Sequence, residues 1–249
     1  MILDLQQFII LNATQDNRPN HQQSIFGGNI QVGGNITTGK ITQIYNSDTA
    51  NKPTVPSEKL PRKRTILILA SNPIDTARLR LDKEAREIDE GLRRAQNQEQ
   101  FTLEQKWAVR PDDLRRALVD FHPQIVHFCG HGAGEKGLWL ENDAGEAQLV
   151  STNALVNLFK LFAERGTECV VLNACYAKVQ AEAISQHINY VVGMSDEMSD
   201  RAAIKFAVGF YDALGAGWSY EDAYGMGCVA ISLEGIPEQL TPVLRKKTN

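Results

Sequence analysis

Gln124-Ile125-Val126-His127-Phe128-Cys129-Gly130-His131-Gly132 is the stretch on which the reading of this chain turns. Gln124–Phe128 is a largely apolar run of strand length, and two glycines bracket His131 just beyond it. Such a run, bounded by glycine, predicts a strand buried on both faces, as in a parallel sheet. A second word of the same form follows: the run Cys169–Leu172, then Asn173-Ala174-Cys175-Tyr176. Each run delivers one reactive side chain, an imidazole or a thiol, to the loop leaving a strand. In open parallel α/β sheets, sites form at the carboxyl ends of the strands. If the two strands are neighbours, His131 and Cys175 meet at one edge, which is the minimum for a cysteine nucleophile and its general base.

The same alternation extends outward in both directions. Thr65–Ala70 is a continuous apolar run and reads as a strand. A helix is predicted over 82–96, with Ala85, Ile88, Leu92 and Ala95 on one stripe, and a strand over Phe101–Val109. Pro111-Asp112-Asp113 opens a second helix, with Pro early and acids in its first turn. Beyond His131, Gly137–Glu141 and Ala147–Val150 read as a hairpin around Asn142-Asp143-Ala144-Gly145. Helix 152–164, strand 168–172, helix 178–187, strand 190–194 and helices near 200–214 and 219–233 complete the pattern. Residues 65–249 are therefore expected to form one α/β domain: a mostly parallel central sheet with helices on both faces.

The preceding residues differ in texture. Residues 1–20 hold a short apolar patch, Phe8-Ile9-Ile10-Leu11, and then a polar tail. Residues 21–46 carry one formal charge, Lys40, and repeat a glycine-rich word, Gly27-Gly28-Asn29-Ile30 and Gly33-Gly34-Asn35-Ile36. Alternation between those glycines reads as short strands and tight turns, a piece with no second layer and so no core of its own. Residues 47–64, with Pro53, Pro56 and Pro61, read as a linker.

A net charge of -4 gives no electrostatic support to a nucleic-acid partner, and the basic run Arg62-Lys63-Arg64 reads as a solvated linker edge. The four cysteines, Cys129, Cys169, Cys175 and Cys228, form no CxxC pair, which fits a reducing compartment in which a catalytic thiol stays available. Met1-Ile2-Leu3-Asp4-Leu5 lacks the basic start of a signal peptide, and no apolar stretch has membrane-spanning length. A cytoplasmic protein without a membrane partner is expected.

The chemistry follows from the two loops. An unperturbed thiol is only slightly ionised at neutral pH; a nearby imidazole and a helix N-terminus, here that of helix 178–187, both raise the thiolate fraction. His131 would take the thiol proton and later return a proton to the leaving amine. Gly132 leaves an unshielded N–H beside His131, and with the N–H of Cys175 it would form an oxyanion hole. A zinc reading would use His127, Cys129 and His131, but no second ligand cluster completes a tetrahedral site, and no metal or cofactor is expected. Gly130-His131-Gly132-Ala133-Gly134 lacks the order of a phosphate loop.

Several separated words together resemble the CHAT family of caspase-like cysteine peptidases, in the clan of caspases, metacaspases and separase. They are Ile66-Leu67-Ile68-Leu69-Ala70-Ser71-Asn72-Pro73 with Leu79-Arg80-Leu81 and Glu84 beyond, Val126–Gly132, Val171–Cys175, and Val192-Gly193-Met194 followed by Ala202-Ala203 and Phe206. The resemblance implies a caspase-like three-layer sandwich and a cysteine endopeptidase with His131 as base, Cys175 as nucleophile and Gly132 as an oxyanion donor. The separation of 44 residues between His131 and Cys175 is similar to the caspase spacing of about 50. In caspases a Gln stands two residues before the cysteine and helps shape the first specificity pocket; Asn173 stands there in this chain. Two opposite specificities stay open. Asp196 and Glu197 would read a basic residue, whereas Arg78 or Arg80 would read an acidic one. Asp196 is marginally preferred.

Ile30-Gln31-Val32-Gly33-Gly34-Asn35, with Ile36, resembles the RHIM core and bacterial amyloid signalling motifs at the ends of cell-death effectors. Stacked copies of such an uncharged, amide-rich segment form Asn and Gln ladders, although its glycines favour turns. A disordered polar tail or a small hairpin is the alternative. The combined resemblance implies a bacterial defence or cell-death peptidase, activated by homo-oligomer or fibril formation through residues 21–46. An upstream sensor with a matching motif would recruit it, and a protein substrate, by analogy a gasdermin-like pore former, would be cleaved. The alternative from another class is a catalytically silent adaptor that assembles through the same segment.

Overall fold

The computed structural model describes residues 63–248. In chain order the elements are β1 (Arg64–Ala70), α1 (Leu81–Arg94), β2 (Phe101–Lys106), α2 (Pro111–Phe121), β3 (Ile125–Cys129), β4 (His131–Gly132), β5 (Gly137–Glu141), β6 (Ala147–Ser151), α3 (Thr152–Ala163), β7 (Cys169–Asn173), α4 (Lys178–Ile184), β8 (Tyr190–Met194), α5 (Asp200–Gly215), α6 (Tyr220–Leu233) and β9 (Pro242–Lys246). Six strands form the central sheet in the order β2-β1-β3-β7-β8-β9. All its pairings are parallel except that of β9 with β8. The expectation of a mostly parallel sheet between helical layers, a caspase-like architecture, is met.

The apolar runs explain the layers. Successive strand residues point to opposite faces. On β1, Ile66, Ile68 and Ala70 pack in one core with residues of α1, α5 and α6, while Leu67 and Leu69 pack in a second core with residues of α2, α3 and α4. Each fully buried aliphatic side chain of this kind contributes about 1.5–3 kcal/mol. α5 and α6 approach closely because Gly209 and Gly227 lie at their crossing. A Cβ on Gly227 would stand 2.7 Å from the Phe206 ring.

A second, three-stranded sheet, β4-β5-β6, grows from the end of β3. The hairpin was legible in the sequence; β4 was not. His131 therefore lies in a short strand paired with Trp139, and Gly132 pairs with Leu138. Three other elements depart from expectation. The strand after Phe101 stops at Lys106, and Ala108 turns the chain with φ 50°. The helix after Cys175 ends at Ile184, with the Ser185 hydroxyl donating to the Glu182 carbonyl at 2.9 Å. β9 closes the sheet edge, antiparallel, where no strand was read. Among the described residues no helix is long and apolar enough to cross a membrane. The tail 1–20, the assembly segment with Ile30, Gln31, Val32, Gly33, Asn35 and Ile36, and most of the linker lie outside the described residues.

Candidate active site

β3 and β7 are neighbours, and their register is level at the carboxyl end: Cys129 pairs with Asn173. His131 and Cys175 each stand two residues past that pair. The Gly130 N–H continues the ladder to the Asn173 carbonyl at 3.4 Å. Beyond it the two loops touch, because a Cβ on Gly132 would collide with the carbonyl of Cys175. Only a residue without a side chain permits this approach, which brings the His131 and Cys175 loops together.

Each reactive group is held by backbone from a third segment. His131 is half-buried, and its Nε2 lies 2.8 Å from the carbonyl oxygen of Ala77. A carbonyl only accepts, so Nε2 carries the proton and Nδ1 is left as the basic nitrogen. Burial pushes the His131 pKa below the ordinary imidazole value; the Ala77 bond and the charge of Asp200 oppose this more weakly. Cys175 is also half-buried, and its Sγ accepts from the Met198 N–H at 3.4 Å.

The segment that carries Ala77 is tied down at several points. Asn72 bonds both ways with Leu79, through Nδ2 to its carbonyl and Oδ1 from its N–H, each at 3.3 Å. The Asn72 N–H donates to Glu141 at 3.0 Å, and Asp75 accepts from the Ala147 N–H at 2.8 Å. The β5–β6 hairpin thus braces the loop that orients His131. At the far end, the Arg80 N–H donates to Asp200 Oδ2 at 2.8 Å, at the start of α5.

The other expected site residues fall in three places. Asn173 is buried beneath the loop rather than on an open wall, its Nδ2 donating to Glu84 Oε1 at 2.6 Å and to the Ala203 carbonyl at 3.1 Å. Asp196 and Glu197 are exposed just after β8, and the Tyr176 N–H donates to the Asp196 carbonyl at 3.2 Å. The Tyr176 hydroxyl also bonds the Asp196 carboxylate, which raises the phenol pKa. Tyr176 holds a left-handed backbone with φ 59°, unusual for a bulky residue and typical of tight functional turns. Arg80 is exposed and, with Arg78, Leu79, Trp107 and Glu141, lines a cavity of about 380 Å³ beyond the ends of β1 and β2. The Arg80 N–H is held by Asp200, four residues after Asp196.

The trio weighed and set aside for zinc, His127, Cys129 and His131, does not come together. His127 and Cys129 face Glu84, not His131, and the three donor atoms lie within 4.8 Å of one another in the core. His127 Nε2 and Glu84 Oε1 are already in direct contact at 2.7 Å. An ion with metal–ligand distances of about 2 Å would need them further apart, so the residues do not fit one as they stand. Three contributors escaped the sequence reading as site groups: the Ala77 carbonyl, the Met198 N–H and the Glu84 carboxyl. Only Glu84 leaves a trace there, as an acid on the otherwise apolar stripe of Leu81, Ala85 and Ile88.

A family model for the CHAT domain matches residues 38–226. The chain belongs to the CHAT family. The match starts within the segment expected to mediate assembly and ends within α6, so it overlaps the expected domain boundary at 65 rather than coinciding with it. Among curated CHAT relatives and proteases, the chain is 28% identical over 157 residues to a Roc-COR-CHAT protease from an unknown prokaryotic organism, covering 61% of this chain and 15% of that protein. It is 28% identical over 166 residues to a probable protease of Gillisia limnaea, covering 65% of this chain and 29% of that protein. The chain thus spans less than a third of either relative. Among solved structures, the CHAT chain resembles a secreted C11 cysteine protease from Bacteroides thetaiotaomicron, with TM-score 0.54 and 13% identity over 74% of this chain and 66% of the other. It also resembles the Arg-specific cysteine proteinase gingipain R, with TM-score 0.51 and 9% identity over 74% and 46%. At these identities the likeness concerns the fold.

Proposed function

We propose that this CHAT chain is a caspase-like cysteine endopeptidase in which Cys175 is the nucleophile and His131 the general base. The carrying observation is the level β3–β7 register with Gly132 lodged against the Cys175 carbonyl. His131 Nδ1 takes the Sγ proton, and the thiolate attacks the scissile carbonyl carbon. The oxyanion that forms is held by the N–H groups of Gly132 and Cys175. Collapse of the tetrahedral intermediate expels the amine, which takes a proton from the His131 imidazolium and leaves a thioester on Cys175. Water, deprotonated by His131, then releases the acid and restores the thiol.

The substrate is a protein bound in extended form beside the cleft. Asp196, which borders the Cys175–Tyr176 turn, favours a basic residue before the cleaved bond; Glu197 and Arg80 are the other specificity candidates, whereas Asn173, buried on Glu84, supports the loop from beneath. Residues 21–46 assemble the chain through a motif shared with an upstream sensor, and clustering raises the local enzyme concentration. A death effector of the gasdermin-like kind is the substrate class this regulation suits. Names of relatives that include the word protease support the reading, as does the cysteine-protease fold.

The test compares wild type with Cys175→Ala in a peptide-library cleavage assay, each as soluble and as assembled protein. Cleavage that needs Cys175 and appears only after assembly is the expected result. Equal cleavage in both states leaves the peptidase and removes the assembly switch. No cleavage in either state favours the silent adaptor.

A further inference from the structure

Beneath the ends of β3 and β7 lies a polar cluster that the dyad chemistry does not use. Glu84, in the first turn of α1, is 3% exposed. Its Oε1 meets His127 Nε2 at 2.7 Å and accepts from Asn173 Nδ2 at 2.6 Å. His127 Nδ1 lies 3.1 Å from the Tyr211 hydroxyl on α5, so the consistent tautomer donates from Nε2 to Glu84 and accepts from Tyr211 at Nδ1. Burial pushes the Tyr211 phenol and the neighbouring Cys129 thiol well up, which keeps both protonated. His127 stands four residues before His131, and Asn173 stands two before Cys175. One carboxyl oxygen therefore joins the two strands that end in the site.

The same stretch of chain reaches the other half of the site. Ala77, whose carbonyl orients His131, lies seven residues before Glu84, and the N–H of Arg80 between them is anchored on Asp200. Residues 77–84 thus touch His131 from above and the strand of Cys175 from below. The tether has one polarity, since Glu84 accepts while His127 and Asn173 donate. A glutamine in its place keeps one neutral acceptor oxygen but loses the carboxylate charge, so both donors are held more weakly.

We propose that Glu84 is a positioning residue for the Cys175–His131 pair, holding the ends of β3 and β7 at the separation the proton transfer needs. The inference rests on the dyad reading above. Misplacement of reacting groups by a fraction of an ångström costs rate rather than substrate affinity. Glu84→Gln is therefore expected to lower kcat by about 10-fold or more with KM within about two-fold.

The decisive readout needs no substrate. Iodoacetamide alkylation of Cys175 is followed against pH on the full chain, by mass analysis of the Cys175 peptide, alongside thermal unfolding. Wild type is expected to react below the range of an ordinary thiol, and Glu84→Gln to shift that profile upward. Asn173→Ala, which cuts the tether on the β7 side and leaves Glu84 with His127, shifts it the same way and serves if Glu84→Gln does not fold. Combining Glu84→Gln with Asn173→Asp restores an amide–carboxylate pair of reversed polarity and recovers more than additivity of the single variants allows. An unchanged profile and kcat in a folded Glu84→Gln, or strict additivity in the pair, overturns the positioning role alone. A wild-type Cys175 that reacts as an ordinary thiol overturns the dyad, and this role with it.

Discussion

The two nitrogens of His131 are assigned by a single contact. Because Nε2 faces the Ala77 carbonyl at 2.8 Å, Nδ1 is left as the basic nitrogen, the one that receives the thiol proton in the proposed function. Burial favours the neutral ring, the form in which the proposed base accepts a proton. With the folded-state pKa depressed, activity that requires neutral His131 is present above that pKa and is lost as pH falls through it. The acid limb of kcat/KM is expected below about pH 6.5; a limb at or above that value would contradict the assignment. Gly132 gives a second prediction at this scale. Gly132→Ala places a methyl group against the Cys175 carbonyl, where backbone rather than a flexible side chain must move. The expected loss of kcat/KM is about 100-fold or more, with circular dichroism unchanged because both helical layers lie elsewhere. Retention of near wild-type kcat/KM would show that the loops do not meet this tightly.

At the scale of elements, α5 and α6 act as one support. Ser219 caps α6, accepting from the Asp222 N–H at 3.1 Å and donating to the Asp222 carboxylate at 2.7 Å. Ser219→Ala is expected to cost about 1 kcal/mol in urea unfolding, with no change in kcat. Gly227→Ala sets a methyl group 2.7 Å from the Phe206 ring and 2.9 Å from the Phe206 carbonyl. Overpacking of this kind costs about 1–3 kcal/mol, and a variant as stable as wild type would rule out the tight crossing. The β5–β6 hairpin has a different task. Through Glu141 and Asp75 it braces the loop that ends at Ala77, so its effect falls on His131 rather than on global stability.

For the whole molecule, the described residues build two cores whose buried members run from Ile66 to Ile236. Removing residues 1–62 is expected to leave a chain that unfolds cooperatively at nearly the same temperature as the full protein. Its Cys175 alkylation profile is expected to match that of the full protein. In the proposed function this shortened chain no longer responds to assembly. A broad, non-cooperative melt would show that the first 62 residues contribute to the core.

What the sequence determined by itself was local. Apolar runs such as Ile66–Ala70 and Val170–Leu172 had no arrangement open to them except strands covered on both faces. Stripes such as Ala85, Ile88 and Leu92 required a partner layer. Those patterns made the sheet legible and, with the glycine-flanked His131 and the strand-end Cys175, marked the two loops that β3 and β7 bring together. Tertiary structure decided everything that depends on which distant segments meet. It made β3 and β7 neighbours with Cys129 level with Asn173, and it paired the polar-ended β9 with β8. It also chose the Ala77 carbonyl and the Met198 N–H as partners of His131 and Cys175, and it turned Asn173 inward to Glu84. The physical reason is the same in each case. Every residue but proline carries an identical backbone donor and acceptor, so a site built from main-chain groups leaves no mark on side-chain identity. A buried carboxyl such as Glu84 is intelligible only once its donors, 43 and 89 residues away, are in place.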